Sequence, residues 1–172
     1  VAFKENITMV TDPAKASSKI PFLANDLGGF AVGNASKPEE ELYIRWLQFS
    51  MFNPIVEVFC EPENTTSNLP WMYSERADSI FRQYAHWRME LFPYIYSYAL
   101  RSRIEGKHMV GKFPEHIYQY TFGDEMLVAP VYERKSTTQK VFLPDGKWIN
   151  YWTNEQMPGN TAHTVAAPIN QI

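Results

Sequence analysis

The sequence predicts an α/β segment followed by an all-β segment, with the change near residues 105–112. In the first part, short apolar runs alternate with helical stretches whose apolar residues recur every three or four positions. After Gly106, short alternating or buried runs are separated by turn residues, as in antiparallel sheets. We therefore expect the order strand–helix–strand–helix, and then strands only.

The first predicted strand is the apolar run at residues 20–24, which is followed by Asn25, Asp26 and, shortly after, two glycines. Parallel α/β units use the carboxyl ends of buried strands to present polar side chains at one edge of the sheet. The glycine pair allows the backbone to turn tightly there. Residues 1–17 show no comparable pattern, so no element is predicted for them.

The first helix is expected from Glu40 to Met51, after a capping-box pattern that starts at Ser36 and has Pro38 in its first turn. Its apolar residues leave little polar surface, which predicts a largely buried helix. The second strand is expected at residues 55–59, after the helix-ending pair Asn53-Pro54.

The second helix should open at Ser74, a good N-cap residue. A stripe at spacings of three and four then follows: Ala77, Ile80, Phe81, Tyr84, Trp87 and Leu91. Pro93 interrupts the stripe, which predicts a kink or a new helix start. Residues 94–104 continue the helical pattern, and Gly106 is a natural stop.

Three features predict the all-β segment. Residues 118–122 alternate, and residues 126–131 form a buried run. Residues 140–143 and 147–152 are separated by Pro144-Asp145-Gly146, which predicts a hairpin around a three-residue turn.

Composition narrows the function classes. The 172 residues correspond to one domain or two small ones. The net charge of −3 gives no excess of basic side chains to neutralise phosphates, so we expect no nucleic-acid partner. Apolar runs fall far short of the roughly 20 residues of a membrane helix, so no membrane association is expected.

Metal and cofactor motifs are also lacking. The single cysteine, Cys60, excludes an internal disulfide framework and a multi-cysteine zinc site, and no histidine is paired with it in sequence as a base. The four histidines are scattered without ligand spacing, and neither a phosphate-binding loop nor a GxSxG motif is present. We therefore expect no metal and no cofactor.

Aromatic residues make up 15% of the chain. Such rings serve a rich core and its interfaces, or they stack on the flat faces of sugars. Composition alone does not choose between these uses.

Asp26 is the best single candidate for a functional residue. A barrel strand would deliver its carboxylate to the active face. The alternative is a turn aspartate that accepts a hydrogen bond from the backbone of Gly28 or Gly29. Spacing leaves both interpretations open.

Several segments together resemble glycoside hydrolase family 31, the α-glucosidase and α-xylosidase family. They are PFLANDLGGF (21–30), YIRWLQF (43–49), PWMY (70–73), LFPYIYS (91–97), FGDEMLVAPV (122–131), LPDGKW (143–148) and YWT (151–153). Their order and spacing match the family from about residue 18 to 169. One such segment would be weak evidence, whereas seven in order are strong.

The resemblance implies the last two βα units of a (β/α)8 TIM barrel, in residues 1–105. It also implies the start of the β-sandwich domain that follows the barrel, in residues 106–172. The family cleaves α-linked sugars with retention, which requires two carboxyl groups about 5–5.5 Å apart. The implied substrate is an oligosaccharide or glycoside, such as an α-glucoside, α-xyloside or α-galactoside.

Both catalytic aspartates of the family lie upstream of the Asp-x-Gly-Gly-Phe segment. The nearest upstream acid, Asp12, is only fourteen positions before Asp26 and its surroundings do not match. We therefore expect no catalytic residue in this chain. The resemblance implies a missing N-terminal part of the enzyme as a partner.

The resemblance carries over to part of the sugar pocket. Asp26 and Phe30 match positions that line the pocket, and Phe59 stands where the family usually has a histidine that bonds a sugar hydroxyl. Glu57 replaces the usual arginine, and Cys60 stands where glycine is common. These departures point to a sugar other than glucose or to a degenerate site.

Two further functions are kept as alternatives. The first is a non-catalytic carbohydrate-binding or scaffold protein on the same fold, and the second is an unrelated α+β interaction protein. Two aspartates on consecutive barrel strands upstream of this chain would favour the glycosidase over both alternatives.

Overall fold

A computed structural model describes residues 2–11, 22–30 and 37–172 of the chain. In the described residues, helices precede strands. The helices are α1 (Ala2–Thr11), α2 (Glu40–Met51), α3 (Glu75–Glu90) and α4 (Phe92–Glu105). The strands are β1 (Val110–Lys112), β2 (Tyr120–Phe122), β3 (Met126–Val128), β4 (Thr138–Leu143), β5 (Lys147–Ile149), β6 (Gln156–Pro158) and β7 (Thr161–Ala166).

Helix α1 corrects the expectation that residues 1–17 hold no element. Phe3, Ile7 and Val10 recur at spacings of four and three, and all three are buried against α2 and the strands β1–β3. This apolar face is only three residues long, and the apolar Met9 lies between its members on the exposed side. The pattern was therefore too short to stand out from the sequence.

Helix α2 has the predicted bounds and is buried on two sides. Tyr43 and Leu47 pack in a cluster with α3, whereas Trp46 and Phe49 pack in a second cluster with α1 and the β1–β3 sheet. The helix thus lies between two cores, which explains why every residue from Tyr43 to Met51 is buried.

The start of α2 differs from the capping-box prediction. The N-cap is Glu39, and its side chain makes no capping hydrogen bond. The predicted cap residue, Ser36, lies outside the described residues, three positions before the observed N-cap. First-turn carboxylates instead favour this helix end through the helix dipole.

Helices α3 and α4 confirm the predicted signals. The Ser74 Oγ accepts a hydrogen bond from the Ala77 amide at 3.1 Å, and α3 ends at Glu90. A new helix starts at Phe92, one residue before Pro93. Gly106 ends it with φ of +69°, the left-handed conformation that glycine adopts at low cost.

The two predicted strands before α2 and α3 are present only as extended segments. Segment A (residues 22–26) and segment B (residues 55–59) run parallel and meet at one bridge, Asp26 with Glu57. Ile20 and Pro21, at the start of the first predicted strand, lie outside the described residues. Segment A precedes α2 in the chain, segment B follows it, and the two pair in parallel, which is the arrangement of a βαβ unit.

Strands β1, β2 and β3 form an antiparallel sheet in sequence order, with Val110 opposite Phe122 and Tyr120 opposite Val128. Buried side chains of this sheet pack against α1 and α2 and form one hydrophobic core with them.

The predicted hairpin between residues 140–143 and 147–152 is wrong. Strand β4 pairs with β7, from Thr138 opposite Ala166 to Leu143 opposite Thr161, and β5 pairs with β6. The four strands form one long bent hairpin, whose tip is at residues 150–155. There the Asn150 Oδ1 accepts hydrogen bonds from the amides of Trp152 and Thr153, at 2.8 and 3.2 Å. This side-chain-stabilised turn reverses the chain, so Pro144-Asp145-Gly146 is only a bend.

A carboxylate in the turn between β2 and β3 ties the sheet to α4. The Glu125 carboxylate accepts hydrogen bonds from the hydroxyls of Tyr94 and Tyr98, at 2.7 and 2.8 Å. These hydroxyls hold the pKa of Glu125 below its ordinary value. Next to it, hydrogen bonds from Lys107 and Arg101 hold the pKa of Asp124 below its ordinary value.

This contact predicts a loss of stability in acid. Because the folded-state pKa values of Glu125 and Asp124 are lowered, their contribution is complete above the unfolded-state values and is lost as pH falls through the folded-state values. We expect the melting temperature to fall between roughly pH 5 and pH 3. The double variant Tyr94→Phe/Tyr98→Phe should show a shallower fall in calorimetry. The exposed Tyr151, changed to Phe, serves as the control, and parallel curves for all three proteins would contradict the prediction.

Candidate functional site

The ends of segments A and B lie side by side. The Leu27 amide donates to the Glu57 carbonyl at 3.1 Å, and the Ile55 amide donates to the Leu23 carbonyl at 3.3 Å. The parallel bridge places Asp26 directly beside Glu57. Residues that follow the two segments therefore emerge at the same edge, where α/β folds place their sites.

The neighbours of Asp26 fix the face on which it lies. The Asn25 Oδ1 accepts hydrogen bonds from Trp46 Nε1 at 2.8 Å and from Ser50 Oγ at 2.9 Å, and Leu27 is buried beside Tyr43 in the core with α2 and α3. Because successive residues of an extended chain point to opposite faces, Asp26 lies on the face away from α2.

Glu57 shares that face with Asp26. Residues directly paired in a sheet point to the same side, and neighbouring strands lie about 4.8 Å apart. In support, the preceding Val56 packs on the core with α2 and α3. Asp26 and Glu57 thus present two adjacent carboxylates on the face that would form the inside of a barrel.

The turn after Asp26 is closed without its carboxylate. The Gly29 amide donates to the Asp26 backbone carbonyl at 2.9 Å, and Gly28 and Gly29 have φ of +78° and +87°. The main chain thus closes this turn by itself, without requiring the Asp26 side chain.

Phe30 and Phe59 place two aromatic rings at this edge. Their exposed fractions are 44% and 48%, and neither ring belongs to the buried core. Exposed rings near carboxylates can stack on the apolar faces of sugars while the carboxylates accept hydroxyl protons. Of the three residues predicted from the sequence, Asp26 and Phe59 lie in segments A and B, and Phe30 lies four residues after segment A.

Asn68 also lies at this edge, although its sequence context does not predict it. Its amide Nδ2 donates to the carbonyls of Gly29 and Phe59, both at 2.6 Å. The sequence offered no signal, since an asparagine in a polar loop is ordinary.

Gly28 is packed against Asn68, which predicts a large cost for a side chain there. A Cβ at Gly28 would lie 2.5 Å from the Asn68 Oδ1, whereas a Cβ at Gly106 would meet no atom within 4 Å. Both glycines have positive φ, so both substitutions carry a conformational cost of about 1 kcal/mol.

We therefore expect Gly28→Ala to lower the free energy of unfolding by about 3 kcal/mol and Gly106→Ala by about 1 kcal/mol. Urea denaturation of the two variants measures both values. Equal losses would show that the contact with Asn68 costs nothing.

A cavity of about 500 Å³ lies elsewhere, between the end of α3 and the bent hairpin. Trp87, Trp148 and Trp152 line it, together with apolar residues of β3, β4 and β7, and no residue of segments A or B does. Among the described residues, we find no cluster of three or more side chains suited to hold a metal ion, and no helix long and apolar enough to cross a bilayer.

Comparison with known families decides the assignment. Residues 2–98 match the model of the glycosyl hydrolases family 31 TIM-barrel domain, and residues 107–172 match that of the glycosyl hydrolase family 31 C-terminal domain. The chain belongs to glycoside hydrolase family 31. Its fold is accordingly part of a TIM barrel followed by an all-β region.

Similar proteins include two curated relatives. A 1,3-alpha-isomaltosidase from Kribbella flavida is 32% identical over 91% of this chain, and an alpha-xylosidase from Saccharolobus solfataricus is 30% identical over 90% of it. The chain spans 24% and 22% of the lengths of these relatives.

A solved structure also resembles the chain. It is a Flavobacterium johnsoniae family 31 dextranase complexed with isomaltotriose, with a TM-score of 0.80 and 32% identity. The match covers 88% of this chain and 20% of the dextranase chain.

Proposed function

We propose that this family 31 chain is part of a retaining α-glycosidase and supplies one side of its sugar pocket. One observation carries the proposal. Segments A and B end side by side, with Asp26 on the face away from α2 and the exposed rings of Phe30 and Phe59 at the same edge. This is the edge at which TIM-barrel enzymes bind their substrates.

Each residue has a distinct role in this proposal. The Asp26 carboxylate accepts hydrogen bonds from ring hydroxyls, and Phe30 and Phe59 form apolar walls. Charge-assisted hydrogen bonds of this kind are stronger than neutral ones. The carboxylate also favours the positive charge that develops on the sugar ring in the transition state.

The nucleophile and the acid/base lie outside this chain in the proposal. They belong to an N-terminal part of the same enzyme, whose barrel strands complete the pocket. The similarity covers less than a quarter of each relative described above, which supports a larger working unit. We assign residues 1–105 to the barrel and residues 106–172 to the start of the sandwich, because the last helix ends at Glu105 and the strands begin at Val110.

Helix α4 supports this larger unit. Phe92, Tyr96, Leu100 and Ile104 are all exposed, and they recur at intervals of four residues. Such residues form one apolar stripe along the helix. A stripe of this length is unusual on a surface that faces water, so the rest of the enzyme is expected to cover it.

The substrate is an α-linked glycoside whose recognised sugar need not be glucose. Glu57 stands where the family usually has an arginine, and Phe59 stands where it usually has a histidine. An acidic group and an apolar ring thus replace two hydrogen-bond donors. The similar isomaltosidase, xylosidase and dextranase define the panel of α-glycosides to test.

The experiment compares this chain with the complete gene product on aryl α-glycosides. We expect steady turnover from the complete protein and none above background from the purified 172-residue chain, because the chain lacks the nucleophile. Turnover by the chain alone, free of contaminating enzyme, would refute the placement of the catalytic carboxylates. No turnover by the complete protein on any α-glycoside would refute the proposed activity.

A second candidate function is a non-catalytic carbohydrate-binding protein on the same fold. The replacements at Glu57 and Phe59 favour it, because they are changes that a degenerate site would also show. Calorimetric titration of the complete protein with isomaltose discriminates the two. Binding without turnover would favour this second function.

A further inference from the structure

Segments A and B are joined only weakly near the proposed sugar-binding edge. In the described residues, backbone hydrogen bonds between them run from Ile55 to Leu23 and from Leu27 to Glu57. Past that point we find no further backbone bond between the two strand ends in the described part of the chain. The spacing of Phe30 and Phe59 must therefore be set by something else.

Asn68 spans this gap. Its Nδ2 donates one hydrogen to the carbonyl of Gly29, the residue before Phe30, and the other to the carbonyl of Phe59, both at 2.6 Å. The two N–H groups of one side-chain amide thus link the two segments where backbone hydrogen bonds between them end. A primary amide suits this task because it carries two donors on one atom in a fixed plane.

The loop holds Asn68 firmly in place. Asn68 is fully buried, and its backbone carbonyl accepts a hydrogen bond from the Tyr43 hydroxyl at 3.1 Å. The Tyr73 ring stacks on Tyr43 at 4.2 Å between centroids, and its hydroxyl donates to the Ser67 carbonyl at 2.6 Å. Gly28 leaves just enough space for the Asn68 side chain. These contacts hold the main chain of residues 67 and 68 in place and leave room for the Asn68 side chain.

We propose that Asn68 is a positioning residue that sets the distance between the Phe30 and Phe59 sides of the pocket. It does not touch the sugar itself, and its effect on activity rests on the proposed function above. Loss of its amide hydrogens would remove the hydrogen bonds to the carbonyls of Gly29 and Phe59 and let the two strand ends separate. Displacements of about 1 Å in a site are enough to lower rates substantially.

The test uses the complete gene product with Asn68→Asp and Asn68→Ala. Aspartate keeps the shape but replaces the two donors by an acceptor, whereas alanine removes the group without adding charge. The matched control is Gln119→Glu, because Gln119 is also buried and its Nε2 donates at 2.6 Å to the carbonyl of Phe142, which lies in β4 and not in segments A or B.

The first measurement is amide hydrogen exchange followed by mass spectrometry. Both Asn68 variants should speed exchange at least tenfold in peptides that cover residues 22–30 and 55–60, and leave strands β4 and β7 within twofold. Gln119→Glu should not speed exchange in those two peptides. Exchange within twofold of wild type at residues 22–30 and 55–60, or a uniform rise across the protein, would overturn the positioning role. If Asn68→Asp does not fold, Asn68→Ala decides the comparison.

The second measurement is steady-state kinetics on the best α-glycoside. The folded Asn68 variants should lose at least tenfold in kcat/KM with a raised KM, while Gln119→Glu stays within threefold. A loss no larger than that of the control would also overturn the proposal. Should the wild-type protein hydrolyse no α-glycoside, the proposed function fails, and the exchange measurement still decides whether Asn68 positions the edge.

Discussion

Replacing Asp26 with alanine in the complete enzyme should lower kcat/KM by about 2–4 kcal/mol, or roughly 30- to 1,000-fold. Asp26 lies beside Glu57 on the face away from α2, and its carboxylate is not used to close the following turn. A charged hydrogen bond to the sugar strengthens as positive charge builds on the ring. Much of the loss should therefore appear in kcat.

Kinetics normalised to folded protein check this expectation. Asp26→Asn keeps the shape and removes the charge, so it should fall between wild type and Asp26→Ala. Asp145→Ala, at an exposed position in the bend between β4 and β5, is the matched control and should stay within twofold. A lower melting temperature for Asp26→Ala, with kcat/KM within about threefold, would instead assign Asp26 to the turn alone.

The second large effect is expected at Arg45, a buried cation on α2 that is 4% exposed. Its guanidinium donates to four backbone carbonyls of the residues around β4 and after β7. They are Gln171 at 2.6 Å, Ala167 at 2.7 Å, and Pro168 and Ser136 at 3.2 Å. Burial lowers the pKa of Arg45, and the carbonyl oxygens stabilise its charge in place of water.

We expect Arg45→Met to lower the free energy of unfolding by about 3–5 kcal/mol, because it removes the donor from four carbonyls, of which that of Ala167 is buried and the other three are partly buried. Arg82→Met is the matched control. Arg82 is on α3, its side chain is 72% exposed, and it pairs with Asp78 four residues earlier. Exposed pairs of this kind contribute about 0.5 kcal/mol. Urea denaturation that gave equal losses for the two variants would contradict the role assigned to Arg45.

Local signals predicted α2, α3 and α4, whereas α1 was not predicted. The Ser74 cap, the break before Pro93 and the stop at Gly106 each depend on residues within one helical turn, and the structure has all three. The long bent hairpin could not be predicted in the same way. Pro144-Asp145-Gly146 is a good turn sequence, but the turn at Asn150 decides the pairing through side-chain hydrogen bonds.

In the candidate site too, residues marked by their immediate sequence neighbours could be predicted, and residues whose partners are distant in the chain could not. Asp26 could be selected because a polar residue after an apolar run is visible in sequence. Asn68 and Arg45 could not, since their partners lie 39 and 122 residues away in the chain, at Gly29 and Ala167. Their polar groups look like surface groups until the fold buries them.

The most direct test of the account follows the anomer that the complete enzyme first releases from an α-glycoside. Proton NMR during the first minutes of hydrolysis separates the α and β anomers before mutarotation mixes them. We expect the α anomer, because a retaining mechanism with two carboxyl groups inverts the anomeric centre twice. First release of the β anomer, or binding of the glycoside without hydrolysis, would contradict it.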